Sequence, residues 1–258
     1  MQIYLQNLFK YKDLFLLLIT QDIKLKYKNS VLGVFWSMLN PLLMMIVFSI
    51  VFMAIFKNDI PNFPVYVLIG RVMYQFFSEA TNFSMTAIQS NADLIKKVYV
   101  PRYYFPLSRV VSTMIISAMS FIPVFLMMLI TGMTFSWTNL FIFIPIIYLF
   151  FITAGIGLLL AALNVFFHDV KHFYSIVLMV LMYLTPIFYP ASIIPEKYMV
   201  LVQLNPLYHV VVIIRDMLMY GSWSDFSNHL FAIGYSVLYC ILGLAVFYKL
   251  QNRFIYHL

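Results

Sequence analysis

Charge is what this sequence has least of. Asp, Glu, Lys and Arg make up 10% of its 258 residues, while 64% are hydrophobic and mean hydropathy is +0.93. A soluble domain carries about 25% charge and about 45–50% apolar residues, and one hydrophobic core is near its limit at this length. The shortage excludes a cytosolic enzyme and a disordered chain, and it makes lipid the solvent for most of the molecule. Cysteine is nearly absent too. Cys240 stands alone in an apolar run, so a secreted disulfide scaffold is excluded.

Catalytic signatures are missing as well. No G-x-x-x-x-G-K-[ST] stretch exists to cradle phosphate, and no two aspartates stand three or four apart for metal-dependent prenyl chemistry. Of the five histidines only His168 and His172 are four apart, and two imidazoles without a third ligand make no metal site. No Ser/His/Asp arrangement can be argued. The expectation is a chain with no catalytic residue, metal site or cofactor of its own. Internal repeats and low-complexity tracts are absent.

Long charge-free runs are what the sequence does have. A spanning helix needs roughly 20 mostly apolar residues. Counting such runs gives an all-α integral membrane protein, a single domain over 1–258 with six transmembrane helices at about 31–56, 63–89, 107–131, 139–167, 173–190 and 229–249. Thr131-Gly132 and Ser136-Trp137-Thr138-Asn139 supply the turn between the third and fourth. The second is kept despite Arg71 and Glu79. Residues 1–30 read as an amphipathic interfacial helix, lysines toward phosphate and Leu, Ile and Phe toward acyl chains. Its Ile23–Lys28 stretch alternates with period two, but a lone strand would leave its backbone unpaired, so helix is expected. Leu14–Ile19 is too short and lacks a small-residue cleavage site, so no cleavable leader is expected. Thr185-Pro186, Pro190, Pro195 and Asn205-Pro206 break the chain between spans five and six into short re-entrant helices.

The net charge of +7 follows from topology rather than from nucleic acid. With both termini in the cytoplasm, 12 of 16 basic residues face inward, among them Lys96, Lys97, Arg102 and Arg109. Such enrichment marks cytoplasmic loops.

Two segments carry functional signals. In the second span Arg71, Gln75, Ser78, Asn82, Thr86 and Gln89 recur at spacings of 4, 3, 4, 4 and 3, one face of a helix, with Glu79 beside them. Charge at membrane depth costs roughly 2.5–3.5 kcal/mol on insertion scales and usually faces a partner or water. Interhelical bonding is the plainer explanation, but six positions exceed what it needs, so a path-lining or subunit-facing role is expected. Tyr74 and Phe77 add rings suited to sugar faces. The loop from Asn91 to Arg102 mixes Asp93, Lys96, Lys97 and Arg102 with Leu94, Ile95 and Tyr99. Topology explains the lysines, while the apolar three look like a docking surface.

Several motifs resemble those of one family. Lys26–Leu42, KYKNSVLGVFWSMLNPL, is similar to the segment that enters the first span of polysaccharide-export ABC permeases. Leu94–Arg102 followed by Pro106-Leu107-Ser108, Asn164–Val170, Thr185–Pro190 and Asn205-Pro206 match further family stretches, with His168 standing where Arg is common. The resemblance implies a permease that pairs with a second copy and with two separate ATPase subunits, which hold the ATP and Mg. It implies export of a lipid-linked polysaccharide (O-antigen, capsule, teichoic acid or wall polymer) across a bacterial or archaeal inner or plasma membrane, in contact with membrane lipid and no nucleic acid. It further assigns 91–102 to ATPase coupling and 191–220 to outer gate helices. An ABC permease for a small lipid or drug is the rival of like architecture. A membrane-embedded glycolipid enzyme would need more acidic or metal-binding groups than Glu79 and Asp169, and an ion-coupled carrier would show inverted repeats.

Overall fold

A computed structural model describes residues 10–56, 60–98 and 100–258. All regular structure among the described residues is helical. In chain order the α-helices are α1 (Lys12–Lys26), α2 (Trp36–Phe56), α3 (Phe63–Met85), α4 (Ala87–Ser90), α5 (Ala92–Lys97), α6 (Tyr104–Met119), α7 (Phe121–Ile130), α8 (Phe143–Phe166), α9 (Val170–Leu184), α10 (Glu196–Gln203), α11 (Pro206–Met219) and α12 (Phe226–Leu250). Of the alternating lysines of 23–28, Lys24 and Lys26 do enter a helix, α1, and Lys28 lies in the turn after it.

Four helical stretches are long and apolar enough to cross a membrane: Gly33–Phe52, Tyr104–Ile130, Trp137–Phe166 and Phe226–Tyr256. A fifth is reached if α10 and α11, bent by 94° to each other, count as one. The expected spans at 63–89 and 173–190 form helices that fall short of that test. The polar residues of α3 lower its hydropathy, and α9 ends after 15 residues where Thr185-Pro186 removes a backbone donor. The 107–131 span is continuous in direction but interrupted at Ser120, whose hydroxyl donates to the Ser37 carbonyl at 2.8 Å. Gly132, at φ 69°, ends α7 as the turn residues anticipate. The Met133 amide reaches back to the Met128 carbonyl at 3.0 Å, the closing bond of a Schellman cap.

The body is built around α8, which packs against α12, α3 and α6. Lipid supplies no hydrophobic drive between helices, so close approach of backbones must. At the α8–α12 crossing a Cβ on Gly243 would overlap the Gly155 carbonyl, and one on Gly155 would overlap the Tyr239 backbone. On the next turn Gly157 receives the Ser84 side chain of α3. The α3 helix is the most enclosed, with Val65, Leu68, Ile69, Val72, Phe77 and Ala80 at 0–1% exposure. Its amphipathic pattern now has a meaning: the apolar face is the core, and the polar stripe is what is left open.

Two breaker motifs meet at one end. Thr185 ends α9 and Asn205 opens α11, and the Asn205 amide donates to the Thr185 hydroxyl at 2.7 Å while its oxygen caps the Leu207 amide at 3.0 Å. His209, 2% exposed, sits between Asn228 Oδ1 at 3.0 Å and the Gln203 carbonyl at 2.9 Å. The prolines thus mark a bonded junction.

Candidate functional site

The stripe on α3 divides on closer view. Arg71, Gln75, Ser78, Glu79 and Asn82 remain partly or fully exposed. Thr86 follows at the α3–α4 break, and Gln89 turns inward to bond Asn164 on α8, donating to its carbonyl at 2.9 Å and accepting from its Nδ2 at 3.0 Å. Gln89 is interhelical glue, and so is Tyr74, whose hydroxyl donates to the Leu178 carbonyl of α9 at 2.7 Å. Phe77 is 1% exposed. Tyr74 and Phe77 therefore lie on the packed face, because 3.6-residue periodicity places them beside the core positions 73, 76 and 80 rather than with Ser78 and Asn82.

A cavity of about 630 Å³ lies over the open face, lined by Ser78, Glu79, Asn82 and Phe83 from α3, Thr86 at the α3–α4 break, Asp22, Leu25 and Lys26 from α1, and Arg109 and Thr113 from α6. Helix α1 is tied across it by two ion pairs. Lys26 Nζ lies 2.5 Å from Glu79 Oε2, and Glu79 Oε1 accepts from Gln75 Nε2 at 2.7 Å. Asp22 Oδ1 faces Arg109 Nε at 3.9 Å. Burial pushes the Asp22 carboxyl up to about 6, with Arg109 pulling the other way. Its second oxygen is buried with no partner among the described residues, as are Arg71 Nε and Gln75 Oε1.

Arg109 organises the floor. Its Nη1 donates to the Phe83 carbonyl and Thr86 hydroxyl, both at 3.0 Å, Nη2 donates to Ser90 at 2.6 Å, and the guanidinium lies 4.0 Å over the Phe83 ring. One side chain bridges the end of α3, the break at Thr86 and α4. Sequence reasoning counted Arg109 as a cytoplasmic flank and missed this role. The available signal was an arginine inside the otherwise charge-free helix 104–119, a position that demands partners.

The loop from 91 to 102 turns part of its apolar surface into the body. Ile95 is 8% exposed and Leu94 half-buried, both packed with Leu18 of α1, Tyr104 and Phe105 of α6 and Phe254. They anchor α5 to the body, since apolar side chains in a short helix bury themselves before they serve a partner. Asp93, Lys96, Lys97 and Val98 are exposed, and Arg102 donates to the Gln251 carbonyl. Tyr99 lies outside the described residues.

A bundle of apolar helices, several long enough to cross a membrane, with a polar, charge-lined face defines the class: a multi-pass membrane protein. The comparisons name it further. The ABC-2 type transporter family matches residues 13–219, and the chain belongs to that family. It is similar to the O-antigen export system permease protein RfbA of Klebsiella pneumoniae (33% identical over 246 residues, 94% of this chain and 93% of that one) and to its namesake in Myxococcus xanthus (32% over 196 residues, 74% of each chain). It also resembles the polysialic acid transport protein KpsM of Escherichia coli, at 25% over 237 residues, 89% of this chain and 90% of that one.

Proposed function

We propose that this chain is the transmembrane half of an ATP-driven exporter that moves a lipid-linked polysaccharide outward, and that the open face of α3 lines its path. Two permease copies pair, because a two-fold dimer is the commonest closed assembly and one chain's helices, α1 included, leave this face partly open. Two separate ATPase subunits, holding ATP and Mg, dock from the cytoplasm on the exposed Asp93, Lys96 and Lys97 of α5. The chain itself hydrolyses nothing. Six segments cross the inner or plasma membrane, with α3 enclosed by its neighbours and α9 at the edge of the bundle, both ends are cytoplasmic, α1 lies at the interface, and α10–α11 form the outer gate. The names of its relatives support the cargo class.

The observation that carries the path is the cavity itself: a row of amide, hydroxyl and charged groups left open beside an otherwise closed helix. Glycan hydroxyls need partners in transit, since an unpaired buried polar group costs about 1–3 kcal/mol, and Gln75, Ser78 and Asn82 both donate and accept. Cysteines placed singly at 75, 78 and 82, with Cys240 replaced, are expected to react with a water-soluble thiol reagent during ATP turnover. Cysteines at 72, 76 and 80, where the native residues are 0–5% exposed, are expected to stay protected. Equal protection of both sets assigns the stripe to packing and overturns the path.

A further inference from the structure

On the other side of α6 from the polar cavity lies a second, apolar groove of about 520 Å³, walled by Leu107 of α6 and by Leu244, Ala245 and Phe247 of α12. Its mouth is formed by Tyr103, Tyr248 and Gln251. The same three residues form one wall of a further groove of about 510 Å³, which carries Lys96, Lys97 and Arg102 and has no Asp or Glu in its lining. Hydrocarbon space between two helices that each belong to a membrane-length stretch therefore runs into a basic pocket at one end. Lys96 donates to the Leu258 carbonyl at 2.8 Å and Arg102 donates through Nη1 to the Gln251 carbonyl, which leaves Lys97 and the remaining guanidinium N–H groups of Arg102 to the groove they line.

We propose that this continuous pair of grooves holds an anionic bilayer phospholipid, one acyl chain along Leu107 and Leu244 and the phosphate on Lys97 and Arg102. Basic pockets between spanning helices recognise anionic headgroups in this way, and the chemistry on each side fits: Leu107, Leu244, Ala245 and Phe247 along the chain, and no Asp or Glu in the lining at the phosphate. A polyprenyl-phosphate glycan carrier would have its polymer directed away from the α3 face by the whole thickness of α6, which favours a resident membrane lipid. The inference rests on the membrane placement of α6 and α12 and is independent of the cargo.

The test uses the full-length permease purified without its ATPase, so that loss of docking cannot imitate loss of lipid. Native mass spectrometry with equimolar dioleoyl-phosphatidylglycerol and dioleoyl-phosphatidylcholine is expected to show at least roughly tenfold preference for the anionic lipid, from about 1 kcal/mol per basic residue. The K97Q/R102Q double variant is expected to bring the ratio near one. Leu244→Trp, or the milder Ala245→Ile, should reduce retention of both lipids with the permease still folded by its melting profile in detergent. Equal retention by the wild type, or a preference that survives the double variant, overturns the proposal. So does displacement of phosphatidylglycerol by equimolar polyprenyl phosphate, which makes the carrier the occupant, or a disulfide between two copies through a cysteine at 244, which makes the groove a protein interface.

Discussion

Two arginines hold the two ends of α3, and they do so in opposite ways. At the first turn Arg215 of α11, 4% exposed, donates to the carbonyls of Pro186 at 2.7 Å, Tyr66 at 3.0 Å and Ile187 at 3.2 Å, and stacks 3.4 Å over the Tyr66 ring. No carboxylate takes part in these bonds; the charge is balanced by carbonyl dipoles and a π face, and Gly70 leaves room for the guanidinium. At the last turn Arg109 has comparable bonds to backbone and hydroxyls, but it also faces Asp22 and a cavity. A sealed arginine is a rivet. An arginine with a carboxylate at 3.9 Å and open space beside it is part of a site that can rearrange.

That contrast can be broken first at the sealed end. Arg215→Ala removes three buried hydrogen bonds and the contact with the Tyr66 ring and is expected to cost about 3 kcal/mol, seen as a large drop in the melting temperature of the solubilised complex. Arg215→Lys should recover only part, because an ammonium cannot reproduce the planar fork. Arg109→Ala is expected to cost less, about 1–2 kcal/mol, while transport falls further than stability does. An equal loss at both positions in both assays would erase the distinction.

A smaller effect sharpens the open end. Asp22 faces Arg109, with Lys26 and Glu79 across the same cavity. Its carboxyl titrates at about 6 in the folded chain against an ordinary 3.8, so the folded state holds the proton more tightly. The resulting stabilisation is complete below the ordinary value and is lost as pH rises through about 6. Docking of α1 should therefore weaken between pH 5 and 7 by on the order of 1 kcal/mol. Hydrogen exchange of α1 measures this, and D22N should flatten the dependence. The smallest effect belongs to Lys26 and Glu79, each more than a third exposed. A double-mutant cycle on that pair should give no more than about 1 kcal/mol.

The same contrast explains what was readable in the sequence. The stripe at 71, 75, 78 and 82 could be seen because helical spacing alone puts those positions on one face, and the turn at Gly132 because a left-handed residue has a chemical signature. The rivet at Arg215 could not, since its partners are carbonyls, which every residue carries. The surroundings of Leu94 and Ile95 could not be read for a related reason: an apolar residue in a charged loop signals burial without saying in what, and here Leu18, Tyr104 and Phe254 are the answer. The helix at α9 is shorter than the expected span because a Thr-Pro pair within an apolar run outweighs the run, and α3 has its expected length with lower hydropathy because a helix enclosed by its neighbours does not need the hydropathy of one bathed in lipid.

The glycine contact between α8 and α12 constrains how the molecule works. Sliding of one helix along another requires side chains that can change partners, as shear motions do. Where the Gly243 backbone lies directly on the Gly155 carbonyl, there is no such layer, and any axial slip drives main chain into main chain. These two helices form a fixed spindle. Any rearrangement of the bundle must be carried by the parts joined through breaks, the α9–α11 elbow at Thr185 and Asn205 and the α3–α4 step at Thr86, each of which is held by a handful of hydrogen bonds.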